Sequence, residues 1–271
     1  MMIAEESTAW PKVTGSPEDD GLGFTLKWNM GWMHDFTEYM KLDPYFRKNA
    51  HHMMTFSMEY AYSENYILVL SHDEVVHLKC SMLNKMPGEG WDKFRNLKAA
   101  YAFMMGHPGK KLLFMGQEFA QLREWSEERE LDWFLLAEEP HQQIQNWYKD
   151  LLHLYKKNKA LYELDNDPKG FDWINKDDIF RSIFSFIRHS RDGKKNLLFV
   201  CNFTPVDRPD YRVGVPRRKQ CKLVLNSDET KYGGSGEERP LVYKPEKQEC
   251  DGQKYSFAYP LPGYGVAVFE Y

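Results

Sequence analysis

The chain has 271 residues, of which 42% are hydrophobic and 28% charged, a globular composition that excludes disordered and fibrous proteins. Its formal net charge of −4 is spread along the sequence, which argues against a nucleic-acid partner, and no apolar run reaches the roughly 20 residues of a membrane-spanning helix. A basic signal segment and CxxC or HExxH patterns are absent, so we predict a cytoplasmic protein with no membrane partner and no metal.

The first part of the chain alternates between strand and helix patterns. Short, largely apolar runs predict strands at residues 1–4, 24–29, 66–70 and 112–115. Apolar residues at helical spacing predict helices at residues 33–40, 92–105 and 142–162. This alternation is typical of a βα barrel or of an open α/β sheet.

The pattern changes near residues 164–170, where aspartate, asparagine, proline and glycine cluster. Beyond this point, strand patterns follow one another without long helices. Predicted strands are residues 182–188, 197–203, 222–226, 254–259 and 266–271, and a predicted turn covers residues 207–210. We therefore predict an α/β domain over residues 1–164 and an antiparallel all-β domain over residues 165–271.

Acidic side chains follow three of the predicted strands of the α/β part. Glu5 and Glu6 follow the first, Asp73 and Glu74 follow the third, and Glu118 follows the fourth. Each acid alone is more simply interpreted as the cap of a following helix. Together, carboxylates that converge at the ends of parallel strands raise one another's pKa. Glycoside chemistry requires such a group, with one carboxylic acid to protonate the leaving oxygen and one carboxylate to attack.

Several longer strings make the sequence recognisable. They are IAEEST at residues 3–8, LKWNMGWMHD at 26–35, LSHDEVVH at 70–77, LFMGQEFAQ at 113–121, LDW at 131–133 and NFTP at 202–205. With these strings, nearly the whole chain resembles the bacterial 1,4-α-glucan (glycogen) branching enzymes of the α-amylase superfamily. The resemblance implies the C-terminal half of a (β/α)8 TIM barrel, that is its last four strand–helix units, followed by an antiparallel β-sandwich domain.

The resemblance also implies roles for individual residues. Glu5 becomes the general acid/base, and Asp73 becomes the transition-state stabiliser that holds sugar hydroxyls. His72 is the hydrogen-bonding neighbour of Asp73. Trp28 and Trp32 are candidates for glucan binding, with a plain core position as the equally good alternative. Neither a cofactor nor a metal is implied.

The implied activity is retaining transglycosylation, in which an α-1,4-glucan is cleaved and the chain is transferred to a glucose 6-hydroxyl to form an α-1,6 branch. The implied partners are α-glucan, such as glycogen or amylose, and the N-terminal half of the same protein. Two alternatives stay open. One is an α-amylase-type or debranching hydrolase, and the other is a non-catalytic glucan-binding fragment.

The sequence departs from the family pattern in ways that affect the expected activity. The family's nucleophilic aspartate lies upstream of the position of Glu5, so we expect this chain to be an incomplete C-terminal portion that is inactive alone. Glu6 could compete with Glu5 for the acid role, although the family's catalytic position is the first acid. Leu78 stands where the family usually has a glycine, which puts the local loop geometry in question.

Overall fold

The computed structural model describes all residues, 1–271, and begins with a parallel sheet. Its strands are β1 (Ile3–Ala4), β2 (Leu26–Trp28), β3 (Tyr66–Leu70) and β4 (Lys110–Leu113). They lie side by side in chain order, and every neighbouring pair is parallel. The four strands predicted in this part of the sequence are confirmed.

Helices cover one face of this sheet. They are α1 (Met30–Lys41), α2 (Met82–Lys85), α3 (Trp91–Gly106) and α4 (Glu139–Lys157). Leu68 and Leu70 of β3 share a hydrophobic core with Phe36 of α1 and Phe103 of α3. Helix α4 begins three residues before its predicted start, because proline is readily accepted in the first turn of a helix.

The expected repeat of strand and helix fails after β1. Between β1 and β2 the chain forms only a three-residue 3₁₀ turn, Pro17–Asp19. Prolines and glycines recur through this segment and disfavour a helix: Pro11, Gly15, Pro17, Gly21 and Gly23. The prediction of four strand–helix units is therefore wrong for the first unit.

The remaining strands are all antiparallel, as predicted. They are β5 (Phe171–Asp178), β6 (Ile183–Arg188), β7 (Leu197–Asn202), β8 (Arg208–Val215), β9 (Cys221–Asn226), β10 (Val242–Tyr243), β11 (Tyr255–Leu261) and β12 (Val266–Glu270). Six of them form a sheet in the order β10-β9-β12-β7-β6-β5, and β8 pairs with β11 as a separate ribbon.

Three of these strands, β5, β8 and β10, are missing from the sequence prediction. The predicted turn at residues 207–210 is also wrong, because β8 begins at Arg208 and includes Pro209. A proline is tolerated there because β8 pairs on one side only, with β11. The proposed boundary between residues 164 and 165 stays a prediction, and the first antiparallel strand starts at Phe171.

Both faces of the six-stranded sheet are buried. On one face, Phe186 and Phe199 join the core formed by the helices of the first part. On the other face, Leu198 and Val200 pack with Val213 of β8 and other residues of the ribbon. The all-β part is thus a sandwich whose larger sheet also packs against α3.

Helix α3 approaches this sheet closely at Gly106. A Cβ atom at this position would lie 2.7 Å from Cζ of Phe186 and 3.0 Å from Cδ1 of Phe199. We expect Gly106→Ala to destabilise the protein by roughly 1–3 kcal/mol through overpacking. In an unhindered helix the same change would instead stabilise by about 1 kcal/mol.

Urea unfolding measures this difference. The paired variant Gly106→Ala with Phe186→Leu is the control, because a smaller side chain makes room for the added methyl group. The cost of Gly106→Ala should be smaller in that background. An equal cost in both backgrounds would contradict the proposed clash.

Candidate active site

A tight turn after β3 positions His72 and Asp73. Ser71 caps this turn, and its Oγ accepts a hydrogen bond from the Asp73 N–H at 3.2 Å. The buried Glu74 carboxylate accepts hydrogen bonds from the Ser71 N–H and hydroxyl at 2.6 and 2.8 Å. Glu74 is therefore a capping residue, which confirms the simpler interpretation for this acid.

The turn presents His72 and Asp73 together to a cavity. His72 Nε2 lies 3.4 Å from Asp73 Oδ1, and the two side chains are 46% and 43% exposed. They line a space of about 810 Å³, named here the Asp73 cavity, together with Leu78, Glu124 and Trp125. A ring N–H and a carboxylate so placed can donate to and accept from the hydroxyls of one sugar.

Trp125 supports this turn from the segment after β4. Its backbone N–H donates to the Val75 carbonyl at 3.0 Å, and its ring lies edge-on to His72 with 6.1 Å between centroids. Phe114 lies 5.9 Å from the same imidazole. Sequence reasoning does not identify Trp125 and Glu124, although they follow the 113–121 string closely.

Glu5 and Glu6 follow the carboxyl end of β1, as His72 and Asp73 follow that of β3. The two glutamates have different surroundings. The Glu6 carboxylate pairs with Lys27 Nζ at 2.9 Å and accepts the Thr8 N–H at 2.8 Å. Hydrogen bonds from Thr8 and Lys27 lower the pKa of Glu6 to about 2. Glu5 is exposed and forms no ion pair.

This difference separates the two acids chemically. A general acid has to carry a proton at the working pH, and a carboxyl group whose pKa lies near 2 does not. The ion pair with Lys27 therefore disfavours Glu6 for the role, and the assignment of Glu5 as the general acid stays a prediction. Glu5 does not line the Asp73 cavity, so a shared site for Glu5 and Asp73 stays a prediction.

The two candidate tryptophans are placed differently. Trp28 is half-buried and lines a second cavity of about 780 Å³ together with Trp10, Tyr60 and Glu6. Trp32 is only 2% exposed and stacks on Phe36 with 4.6 Å between ring centroids. This burial argues against a glucan contact for Trp32 and favours the core position.

Two other features are absent from the structure, a metal-binding cluster and a membrane-spanning helix. No group of three or more histidine, cysteine, aspartate or glutamate side chains is arranged to hold a metal ion. None of the helices has both the length and the apolar character needed to cross a membrane.

The chain is similar to known enzymes over its whole length. The family model described as the alpha amylase C-terminal all-beta domain matches residues 173–271. The 1,4-alpha-glucan branching enzyme GlgB of Butyrivibrio fibrisolvens is 59% identical over 271 residues, which are 100% of this chain and 42% of that protein. The enzyme of the same name from Halothermothrix orenii is 48% identical over 270 residues, covering 100% of this chain and 43% of that protein.

Solved structures support the fold. The alpha-amylase from H. orenii has a TM-score of 0.60 at 17% identity and covers 99% of this chain and 52% of its own. A pullulanase from Bacillus acidopullulyticus has a TM-score of 0.62 at 10% identity, covering 90% of this chain and 30% of its own. The chain spans 42–43% of the length of the two branching enzymes. Over its whole length the chain is therefore similar to part of the 1,4-alpha-glucan branching enzymes, and its residues 173–271 match the alpha amylase C-terminal all-beta domain.

Proposed function

We propose that this chain supplies part of the active site of a retaining α-1,4-glucan branching transglycosylase of glycogen biosynthesis. The observation that carries the proposal is the His72–Asp73 pair, held by a capped turn at the end of β3 and open to a cavity of about 810 Å³. The whole-length similarity to branching enzymes supports it. The proposal keeps the expected cytoplasmic location and needs no cofactor.

Each residue has a defined role in the proposed reaction. Glu5 protonates the glycosidic oxygen as its bond to the anomeric carbon breaks, while a carboxylate attacks that carbon to form a covalent glycosyl-enzyme. Glu5 then removes the proton from the 6-hydroxyl of the acceptor glucan, whose oxygen displaces the enzyme carboxylate. Asp73 and His72 bind hydroxyls of the donor sugar as positive charge develops on its ring.

The attacking carboxylate is assigned, within this proposal, to the part of the enzyme that the 271 residues do not cover. The branching enzymes that match are more than twice as long as this chain. The parallel sheet has two free edges, β1 and β4. We propose that further parallel strands pair with these edges to complete a (β/α)8 barrel, because closing a barrel removes such edges.

A hybrid enzyme tests the proposal. The 271 residues replace the matching region of the B. fibrisolvens enzyme, to which they are 59% identical. We expect the hybrid to form α-1,6 linkages in amylose, measured from the anomeric proton signals, while residues 1–271 alone do not. New reducing ends without α-1,6 linkages would favour the hydrolase alternative. Glucan binding without any reaction would favour the non-catalytic one.

A further inference from the structure

The loop of residues 77–80, which follows the Asp73 turn, has an unusual backbone. His77, Leu78 and Cys80 have φ angles of 50°, 68° and 64°, in the left-handed region that residues other than glycine seldom adopt. The Leu78 side chain is 96% exposed, so its own packing does not offset this strain. Other contacts must hold the loop in place.

Two charged side chains supply those contacts. Glu124 accepts hydrogen bonds from the Leu78 N–H at 3.0 Å and from the Cys80 N–H at 2.7 Å, one on each carboxylate oxygen. From the other side, the buried Lys85 ammonium donates to the carbonyl oxygens of Lys79 and Cys80. The Glu124 carboxylate therefore holds the N–H groups of the loop, and the Lys85 ammonium holds its carbonyl groups. Both sets of hydrogen bonds are charge-assisted and therefore strong.

The position of the loop connects these contacts to the candidate site. His77 and Leu78 line the Asp73 cavity with His72 and Asp73, and Glu124 lines it as well. Glu124 comes from the segment after β4, so its two hydrogen bonds join the segments that follow β3 and β4. The exposed Leu78 side chain offers an apolar surface to any sugar that enters this cavity.

We propose that Glu124, assisted by Lys85, is a positioning residue that fixes the 77–80 loop at the Asp73 cavity and thereby sets the affinity for glucan. Leu78 then contacts the C–H face of a glucose ring beside Asp73. The identity of the ligand as a glucan rests on the proposed function, whereas the holding of the loop by Glu124 does not.

Hydrogen exchange on the 271-residue chain tests the loop contact without any assay of activity. Glu124→Ala should speed amide exchange in peptides that cover residues 77–80 by about tenfold or more. Peptides from β6 and β7 should not change, and the exposed Glu130→Ala is the matched control. If Glu124→Ala unfolds the chain, Glu124→Gln, which keeps the size and removes the charge, replaces it. Unchanged exchange at residues 77–80 in a folded variant would overturn the inference.

Kinetics of the hybrid enzyme test whether the position of the 77–80 loop sets the affinity for glucan. Glu124→Gln should raise KM for amylose about five- to tenfold and leave kcat within about threefold, because the reacting groups stay in place. The rise should be less than half as large in a Leu78→Gly background, since glycine adopts the left-handed conformation freely. A loss of kcat at unchanged KM, or equal effects in both backgrounds, would overturn the positioning role. A hybrid without branching activity would instead contradict the proposed function, and hydrogen exchange would still decide the loop contact.

Discussion

In the hybrid enzyme, Glu5→Gln is expected to lower branching of amylose by a factor of about 10³, the typical contribution of general acid/base catalysis. The amide that replaces the carboxyl group has its shape but neither donates nor accepts the transferred proton. The leaving sugar would then depart as an alkoxide, and the acceptor hydroxyl would attack without a base. Iodine absorbance of amylose and the count of α-1,6 linkages measure the effect.

Glu6→Gln is the matched control for this experiment, because it makes the same change one residue away. Glu6 pairs with Lys27 at 2.9 Å, and its pKa of about 2 means that the carboxyl group is ionised at neutral pH. We expect its replacement to leave branching within about tenfold of the hybrid, since no proton transfer depends on it. A loss in Glu6→Gln as large as that in Glu5→Gln would mean that the roles of the two acids are misassigned.

Asp165→Asn is expected to destabilise the protein by about 3–5 kcal/mol, because it leaves a buried arginine without its counter-ion. Asp165 pairs at 2.8 Å with Arg188, whose side chain is fully buried, and at 2.8 Å with Lys110. Arg188 also donates to the carbonyl of Gly106 at 2.8 Å. The network therefore links the end of α3 to strand β6, where the parallel and antiparallel parts meet.

Asp172→Asn is the control for Asp165, and urea unfolding is the measurement. The Asp172 carboxylate also has a close partner, His189 Nε2 at 2.7 Å, but its side chain is 71% exposed. An exposed pair contributes up to about 1 kcal/mol. Equal effects of the two substitutions would contradict the importance given to the buried network.

The ion pairs of Asp165 also predict that the stability of the folded protein depends on pH. Burial alone would raise the pKa of Asp165, but the charges of Lys111 and Arg188 and a hydrogen bond from Lys110 lower it to about 2 from 3.8. A folded-state pKa below the unfolded value gives stability that is present above pH 3.8 and is lost as the pH falls toward 2. The Asp165→Asn variant should lose less stability over this range than the protein with Asp165.

Most of the parallel sheet and its helices could be predicted because their signals are local. The β3 run is apolar at every position, and apolar residues recur at helical spacing in α3. The helix itself was predictable, but the spacing predicts one buried face, whereas residues 96–106 are buried on every side. Strand β8 could not be predicted in this way, because its first residues, including Pro209, are largely exposed and have the composition of a turn. Its partner strand β11 begins at Tyr255, 40 residues after Val215 at the end of β8, which is outside any local pattern.

For the candidate site, too, local sequence patterns do not predict contacts between distant parts of the chain. The His72–Asp73 pair could be found from its place after a strand, and Glu5 from its string. The structural reason against Glu6 is its contact with Lys27, which is 21 residues from Glu6 in sequence and reaches it only through the pairing of β1 with β2. The contact of Glu124 with Leu78 spans 46 residues and likewise depends on tertiary structure.

The most direct test of Glu5 as proton donor uses a donor sugar that needs no proton. Fluoride leaves an α-maltosyl fluoride without protonation, so the Glu5→Gln hybrid should still form the glycosyl-enzyme. We predict a burst of about one fluoride per enzyme at a rate within about tenfold of the hybrid with Glu5, followed by slow turnover, while transfer from amylose falls by about 10³. Equal losses with the fluoride and with amylose would contradict the assignment of Glu5 as the general acid.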